Sequence, residues 1–253
     1  MSDNGRVWTA ALVVIGDEIL SGRTQDKNIA QVASWLNVQG IRLGEVRVVP
    51  DIPGSIGAAV TAMLAAHDYV FTTGGIGPTH DDITVDSIAA ALGVGVEIHP
   101  EARATLEQYY ESRGGITEGR LRMARVPAGS ELIVNKMSGA PGIRRGNLFI
   151  LAGVPHITAG MLEALTGTLV GGRPLVSVTI GGFVPESEVA DLLGATEKAH
   201  EGVSIGSYPF FKEGRVGANF VMRSEEMDRA ERCAANLTRD LAAAGYETVS
   251  GGI

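Results

Sequence analysis

Apolar residues recur along the first part of the chain with two different periods. A short, continuous apolar run at residues 10–15 predicts a strand buried on both faces, and further strands are predicted at residues 41–49, 69–73 and 148–151. Apolar residues three and four positions apart predict helices, which span residues 28–39, 55–66, 84–92, 101–112, 117–124 and 155–166. Strands that alternate with helices predict an α/β fold, in which a mostly parallel sheet is covered by helices on both faces.

The pattern changes after Gly171-Gly172-Arg173-Pro174, whose composition is typical of a turn. The predicted elements then follow the order strand, helix, strand, strand, helix, strand, at residues 175–180, 186–200, 203–208, 216–222, 225–244 and 246–250. This βαββαβ order is typical of ferredoxin-like modules. The sequence therefore predicts two domains, residues 1–170 and a smaller α+β domain at residues 171–253; the alternative is an appendage on the first sheet.

Composition and charge exclude several classes of protein. The 253 residues carry a net charge of −8, which argues against a basic surface for nucleic acid or for an anionic membrane. The single cysteine, Cys233, cannot form an internal disulfide, and the five histidines show no zinc-binding spacing. No apolar run approaches the ~18 residues of a membrane span, and no signal peptide is visible. We therefore expect a cytoplasmic protein.

A glycine-rich loop follows the strand predicted at residues 69–73. Its sequence places Gly74, Gly75 and Gly77 between Thr73 and the helix predicted from residue 84. Ligands of α/β proteins bind beyond the carboxyl ends of the strands, and glycines let backbone N–H groups approach an anion. The loop is not a P-loop, because no Lys-Ser/Thr pair follows it. It is a candidate phosphate-binding site.

Asp81 and Asp82 come shortly before the helix predicted at residue 84. One interpretation is structural, because an aspartate before a helix caps its first N–H groups. The other is catalytic: two adjacent carboxylates repel a phosphate unless a divalent cation lies between them. Asp81 and Asp82 are therefore candidate metal ligands and catalytic residues, and Asp17 is a third candidate ligand.

Further polar residues follow the first two strands of the predicted sheet. The candidates for ligand binding or catalysis among them are Asp17, Glu18, Ser21, Asn28 and Asp51. The structural alternative for Asn28, or for Asp26 beside it, is capping of the helix that begins there. The corresponding alternative for Asp51 is capping of the helix near Ser55.

Five motifs occur in an order that resembles a known family. They are Gly16-Asp17-Glu18-Ile19-Leu20, Asp26-Lys27-Asn28, the stretch from Thr72 to Thr84, Gly139-Ala140-Pro141-Gly142 and Gly153-Val154-Pro155. Together they look like the competence/damage-inducible protein A family, whose N-terminal part has the molybdopterin-binding (MoaB/Mog-like) fold. The tail, with Gly206-Ser207-Tyr208-Pro209, is similar to that family and to a related domain of eukaryotic FAD synthetases.

The resemblance implies a function and assigns residues to it. It implies a pyrophosphatase that hydrolyses ADP-ribose, or FAD in the relatives linked to FAD synthetases, with Mg²⁺, Mn²⁺ or Co²⁺ and with potassium. Asp82 and Asp51 match aspartates that are functional in the molybdopterin enzymes. The two later motif loops add Gly139, Pro141, Gly153 and Pro155 as substrate contacts. Relatives often have a glutamate shortly after Gly-Val-Pro, whereas His156-Ile157-Thr158 follows here.

Three functions fit these residues. The leading hypothesis is a metal-dependent pyrophosphatase that releases AMP from ADP-ribose or a related nucleotide. The second is molybdopterin binding or adenylylation at the same loop, and the third is a non-catalytic nucleotide-binding regulatory module. Because the sequence ends at Ile253, we expect no C-terminal nicotinamide-mononucleotide deamidase domain. By analogy with other proteins of this fold, we expect a homo-oligomer.

Overall fold

The strands predicted in the first part of the chain pair in one sheet. The computed structural model describes residues 6–135 and 137–253. The strands of its first unit, which ends at Gly172, are β1 Trp8–Ile15, β2 Ile41–Val49, β3 Tyr69–Thr73, β4 Val96–Ile98, β5 Arg125–Pro127, β6 Glu131–Ile133, β7 Gly142–Arg145 and β8 Leu148–Leu151. The helices are α1 Asp17–Leu20, α2 Asn28–Val38, α3 Pro53–Ala66, α4 Thr84–Ala91, α5 Pro100–Tyr110, α6 Glu118–Arg122 and α7 Pro155–Leu165.

The main sheet has the strand order β2-β1-β3-β8-β7-β6. The first four of these strands are parallel, and β7 and β6 continue the sheet antiparallel. The parallel strands end in register, because Val14 pairs with Thr73 and Thr73 pairs with Leu151. The loops that follow β1, β3 and β8 therefore leave the sheet at the same edge.

Helices cover both faces of this sheet. On one face Leu12 and Val14 of β1 pack with Val32 and Leu36 of α2 and with residues of α7. On the other face Val13 of β1 packs with residues of α3 and α4. All five of these side chains are buried, as expected for a strand with no polar alternation. The predicted α/β fold with helices on both faces is confirmed.

Several short elements were not predicted. They are α1 and the strands β4 to β7, none of which exceeds four residues. Strands β4 and β5 form a separate two-stranded antiparallel sheet, and α5 and α6 lie between them in the chain. Segments of this length contain too few residues to show either the helical or the strand period, so their pairing becomes visible only in the folded chain.

The second unit runs from Arg173 to Ile253. Its elements are β9 Val176–Gly182, α8 Glu186–Ala199, β10 Val203–Lys212, β11 Arg215–Ser224, α9 Met227–Ala243 and β12 Val249–Ser250. The four strands form an antiparallel sheet in the order β10-β11-β9-β12, and Phe220, Met222 and Leu237 belong to its buried core. This is the predicted βαββαβ arrangement. Within the described parts of both units, no helix is long and apolar enough to cross a membrane.

Candidate functional site

A pocket of about 620 Å³ lies where the loops after β1, β2, β3 and β8 meet. This volume is within the range of small-molecule sites, and the position is the expected one for an α/β sheet. The predicted site residues that line it are Glu18, Asp51, Gly74, Gly75, Gly77, Asp81, Asp82, Gly153 and Pro155. Every motif except Asp26-Lys27-Asn28 contributes residues to its wall, the fourth through Ala140, and Ser138 just before that motif also lines it.

The glycine loop requires glycine at its first two positions. Gly74 has a φ of 105°, and a Cβ there would lie 2.1 Å from the carbonyl oxygen of Ile15. Gly75 has a φ of 67°, and its Cβ would lie 2.2 Å from Oγ1 of Thr84. Thr84, the first residue of α4, fixes the loop by donating its hydroxyl to the Gly74 carbonyl at 2.9 Å and its N–H to the Gly75 carbonyl at 3.1 Å. The loop is therefore a rigid connection between β3 and α4.

The N–H groups of the loop are not equivalent. The Gly74 N–H donates to the Leu151 carbonyl at 3.2 Å, so it is not available to a ligand. The N–H groups of Gly75, Ile76 and Gly77 have no hydrogen-bond partner in the part of the chain that the structure describes. The expectation that the whole loop binds phosphate is thus restricted to residues 75–77.

The carboxylate of Asp82 is held by the loop before it. Its Oδ2 accepts the N–H of Thr79 at 2.8 Å and the hydroxyl of Thr79 at 2.5 Å. Hydrogen bonding from the Thr79 hydroxyl also keeps the pKa of the exposed Asp81 carboxyl below its ordinary value, so Asp81 is ionised at neutral pH. The residue at the N-cap of α4 is Ile83, and the interpretation of Asp81 or Asp82 as its cap is wrong.

Asp51 connects the loops after the first two strands. Its Oδ2 accepts the backbone N–H of Asp17 at 2.9 Å, while α3 has Ile52 at its N-cap. The capping interpretation of Asp51 is therefore wrong. The Asp17 side chain is exposed and does not line the pocket, whereas the neighbouring Glu18 does.

Asn28 and Thr73 lie in a smaller recess beside the main pocket. The side-chain amide of Asn28 donates to the Gly153 carbonyl at 2.8 Å, which ties α2 to the loop after β8. Asp26, one residue before the N-cap Lys27, accepts the N–H of Ile29 at 2.7 Å, so its carboxylate satisfies a first-turn donor of α2, whereas the side chain of Asn28 does not. The hydroxyl of Thr73 is buried without a partner in the described structure.

The remaining predicted residues lie outside the main pocket. Ser21 donates its hydroxyl to the Glu18 carbonyl at 3.3 Å. Pro141 lines a narrow crevice that it shares with Asp82. Gly139 has a φ of 71°, and a Cβ there would lie 2.7 Å from the ring of Tyr109, so its role in the structure is close packing.

Sequence reasoning missed the apolar wall of the pocket. This wall is formed by Ile76, Tyr110, Met123, Val154, Ile157 and Met161. Tyr110 and Met123 come from the region of α5 and α6, far along the chain from the motifs. A tyrosine or methionine on a helix carries no local signal that distinguishes a pocket residue from a core residue. Their position in the pocket becomes visible only in the folded chain.

The predicted metal site requires several donor side chains close together. Among the residues that the structure describes, no three His, Cys, Asp or Glu side chains are grouped closely enough to hold a metal ion. Asp17 in particular is not brought to Asp81 and Asp82. The described side chains alone therefore do not form a complete coordination sphere in this conformation. A cation here would need phosphate oxygens and water as further ligands.

The fold and the pocket together define an α/β domain with a pocket of small-molecule size, followed by an α+β unit. The family model described as "Probable molybdopterin binding domain" matches residues 11–170, and the model described as "FAD synthase, middle domain" matches residues 174–249. The first match covers more than half of the chain. The chain therefore belongs to the competence/damage-inducible protein A (CinA-like) family, with a MoaB/Mog-like domain as its N-terminal part.

Individual relatives agree with this assignment. A protein of Aeropyrum pernix is 36% identical over 219 residues, which are 83% of this chain and 81% of the relative. A CinA-like protein of Desulfosudis oleivorans is 33% identical over 81% of this chain and 52% of its own length, so the chain spans about half of that relative. The solved structure of "the protein CinA with unknown function" from Thermoplasma acidophilum has a TM-score of 0.59 at 34% identity, covering 63% of this chain and 96% of that one.

Proposed function

We propose that the main pocket binds a phosphorylated pterin of the molybdopterin type. The observation that carries this proposal is the glycine loop, in which three consecutive residues, 75–77, present backbone N–H groups without a partner in the described structure. Such groups bind phosphate because each contributes a backbone donor, and the two glycines add no side chain that would keep an anion away. The description of the matching family model as a molybdopterin-binding domain supports the choice of a pterin.

The phosphate and the rest of the ligand have different surroundings. In the loop, a Cβ on Gly77 would lie 2.7 Å from Oδ2 of Asp82, so a side chain at this position would displace that carboxylate. Tyr110 and Met123 belong to the apolar wall of the same pocket. A ligand that carries both a phosphate and a ring system matches these two kinds of lining.

The test is binding of 6-hydroxymethylpterin diphosphate by calorimetry, with Mg²⁺ present. We expect Gly77→Ala to weaken binding about tenfold, because the methyl group would displace the Asp82 carboxylate and distort the loop beside it. Gly95→Ala is the matched control, because a Cβ at Gly95 meets nothing within 4 Å. No binding by the wild type, or equal affinity of wild type and Gly77→Ala, would contradict the proposal.

A second candidate, metal-dependent pyrophosphatase activity on ADP-ribose, FAD or a related nucleotide, is favoured by the charge of the pocket. Four carboxylates, those of Glu18, Asp51, Asp81 and Asp82, line it, and no lysine, arginine or histidine of the described chain does so. A diphosphate in these surroundings requires a counter-charge, and Mg²⁺ is commonly held by one or two carboxylates together with phosphate oxygens. A bound cation would neutralise phosphate charge and acidify a water molecule. Asp81 and Asp82 would hold it.

Release of AMP separates the two candidates. ADP-ribose and FAD are incubated with Mg²⁺, Mn²⁺ or Co²⁺, with and without K⁺, and AMP is measured by chromatography. The second candidate predicts AMP only with metal, and a loss of at least about a hundredfold in Asp82→Ala. Asp191→Ala, an exposed change on α8, is the control. Nucleotide binding without turnover under every condition would instead support a non-catalytic nucleotide-binding module.

A further inference from the structure

The chain between β4 and β5 supplies part of the pocket wall. Tyr110, the last residue of α5, and Met123, the residue after α6, both line the pocket. They also pack against a small core of their own, in which Ala102, Leu106 and Ala124 are fully buried. The backbone carrying Tyr110 is therefore anchored, although the residue itself is only half-buried.

The ring of Tyr110 is held from two sides. The guanidinium carbon of Arg120 lies 4.2 Å from the ring centroid, and the same guanidinium donates to the carbonyls of Arg113, at 3.0 Å, and of Gly115. The ring of Tyr109 meets it edge to face, with centroids 5.0 Å apart. A ring restrained in this way loses little conformational freedom when a ligand stacks on it.

The Tyr110 hydroxyl does not explain this arrangement. It makes no hydrogen bond to the described residues, and it is not among their buried polar atoms. The contacts of the side chain are thus made by its ring. Met123, which also lines the pocket, adds a polarisable thioether suited to contact with an aromatic system.

We propose that Tyr110 determines specificity by stacking on a planar heteroaromatic ring of the ligand, with Met123 beside it. This inference rests on the proposed function for the phosphate end of the site and adds the ring end. The pocket is much larger than a diphosphate, and the glycine loop can account for only one part of it. Pterins and adenine both satisfy the chemistry of a flat, polarisable ring.

The experiment compares ligands with and without a ring. Affinities of 6-hydroxymethylpterin diphosphate, ADP and inorganic pyrophosphate are measured by calorimetry with Mg²⁺ for the wild type, Tyr110→Leu and Tyr110→Phe. We expect Tyr110→Leu to weaken the two ring-bearing ligands about tenfold and to leave pyrophosphate unchanged. Tyr110→Phe keeps the ring and should change each affinity by less than about threefold.

Tyr208→Leu is the matched control. Tyr208 also lies beneath an arginine, with Arg223 5.5 Å from its ring centroid, but it belongs to the second unit. Equal loss of pyrophosphate and ring-bearing ligands in Tyr110→Leu would overturn the inference, as would an equal effect of Tyr110→Phe and Tyr110→Leu. If no ligand binds to the wild type, the proposed function itself fails. If the ligands bind equally well to wild type and Tyr110→Leu, only the role of Tyr110 fails.

Discussion

At Gly74 the backbone conformation and its close surroundings exclude any side chain. A side chain there would require both an unfavourable positive φ and a 2.1 Å approach to the Ile15 carbonyl oxygen. We expect Gly74→Ala to lower the free energy of unfolding by about 3 kcal/mol, because strain and overpacking act together. The measurement is urea unfolding followed by circular dichroism.

Gly93→Ala separates the two contributions. Gly93 also has a positive φ, 67°, but a Cβ at this position has open space around it. The loss should therefore be only about 1 kcal/mol, which reflects the backbone conformation alone. Equal losses in the two variants would show that the contact with β1 does not restrict Gly74.

The candidate site was predictable where a residue directly follows a strand. Asp51 and Gly74 come immediately after β2 and β3 or one residue later, and both line the pocket. Asp17 follows β1 equally closely, yet it turns its backbone N–H to Asp51 and leaves its side chain exposed. Sequence position determines which edge of the sheet a residue reaches, but the direction of its side chain depends on the local turn.

Strand β1 is held to the start of β3 through Asp68. Its carboxylate accepts the Thr9 N–H at 2.9 Å and the Thr9 hydroxyl at 3.2 Å, and it pairs with Arg6. Burial alone raises the pKa of Asp68, but the Thr9 N–H and the Arg6 charge outweigh this effect and lower the pKa. The stabilisation is therefore present above the unfolded-state pKa, about 3.9, and is lost as the pH falls through the lower pKa of the folded state.

Asp68→Asn removes this pH dependence. We expect the variant to be less stable than the wild type at pH 7, and the difference to shrink as the pH is lowered below about 4. The measurement is the urea midpoint between pH 7 and pH 2.5. Asp191→Asn, on the exposed side of α8, serves as the control. A difference that stays constant over this range would contradict the assignment.

Elements of eight or more residues were predictable, and elements of five or fewer were predictable only in part. The bounds of β2 and β3 agree with the strands predicted at residues 41–49 and 69–73, although β2 lies at the edge of the sheet and is only partly buried. Strands β6 and β7 have only three and four residues. Their antiparallel addition to a parallel sheet depends on pairing partners distant in the chain, which no local pattern encodes.

The two units have separate cores, and every residue that lines the main pocket belongs to the first unit. We expect Phe220→Ala, in the core of the second unit, to cost that unit about 3–5 kcal/mol and to leave ligand affinity at the pocket unchanged. Hydrogen exchange followed by mass spectrometry should show faster exchange in β9 to β11 only. Phe220→Leu, which leaves a smaller cavity, should give a smaller effect of the same kind.

Acceleration of exchange in β1 and β3 by Phe220→Ala would show that the units unfold together. The expectation of separate behaviour follows from the change of element order after Gly171-Gly172-Arg173-Pro174, and the described boundary between Gly172 and Arg173 lies within this turn. Turn composition of this kind supports a boundary because few apolar side chains are available there for a shared core.

Apolar periodicity was sufficient to predict the α/β class, the βαββαβ order and the edge of the sheet at which the main pocket lies, because each depends on residues close together in the chain. The residues that the candidate site residues contact could be identified only in the folded chain. Asp51 meets Asp17 across 34 positions, Asn28 meets Gly153 across 125, and Tyr110 reaches the pocket from a helix with no motif. Contacts between distant residues follow from strand order and loop path, which local patterns leave open.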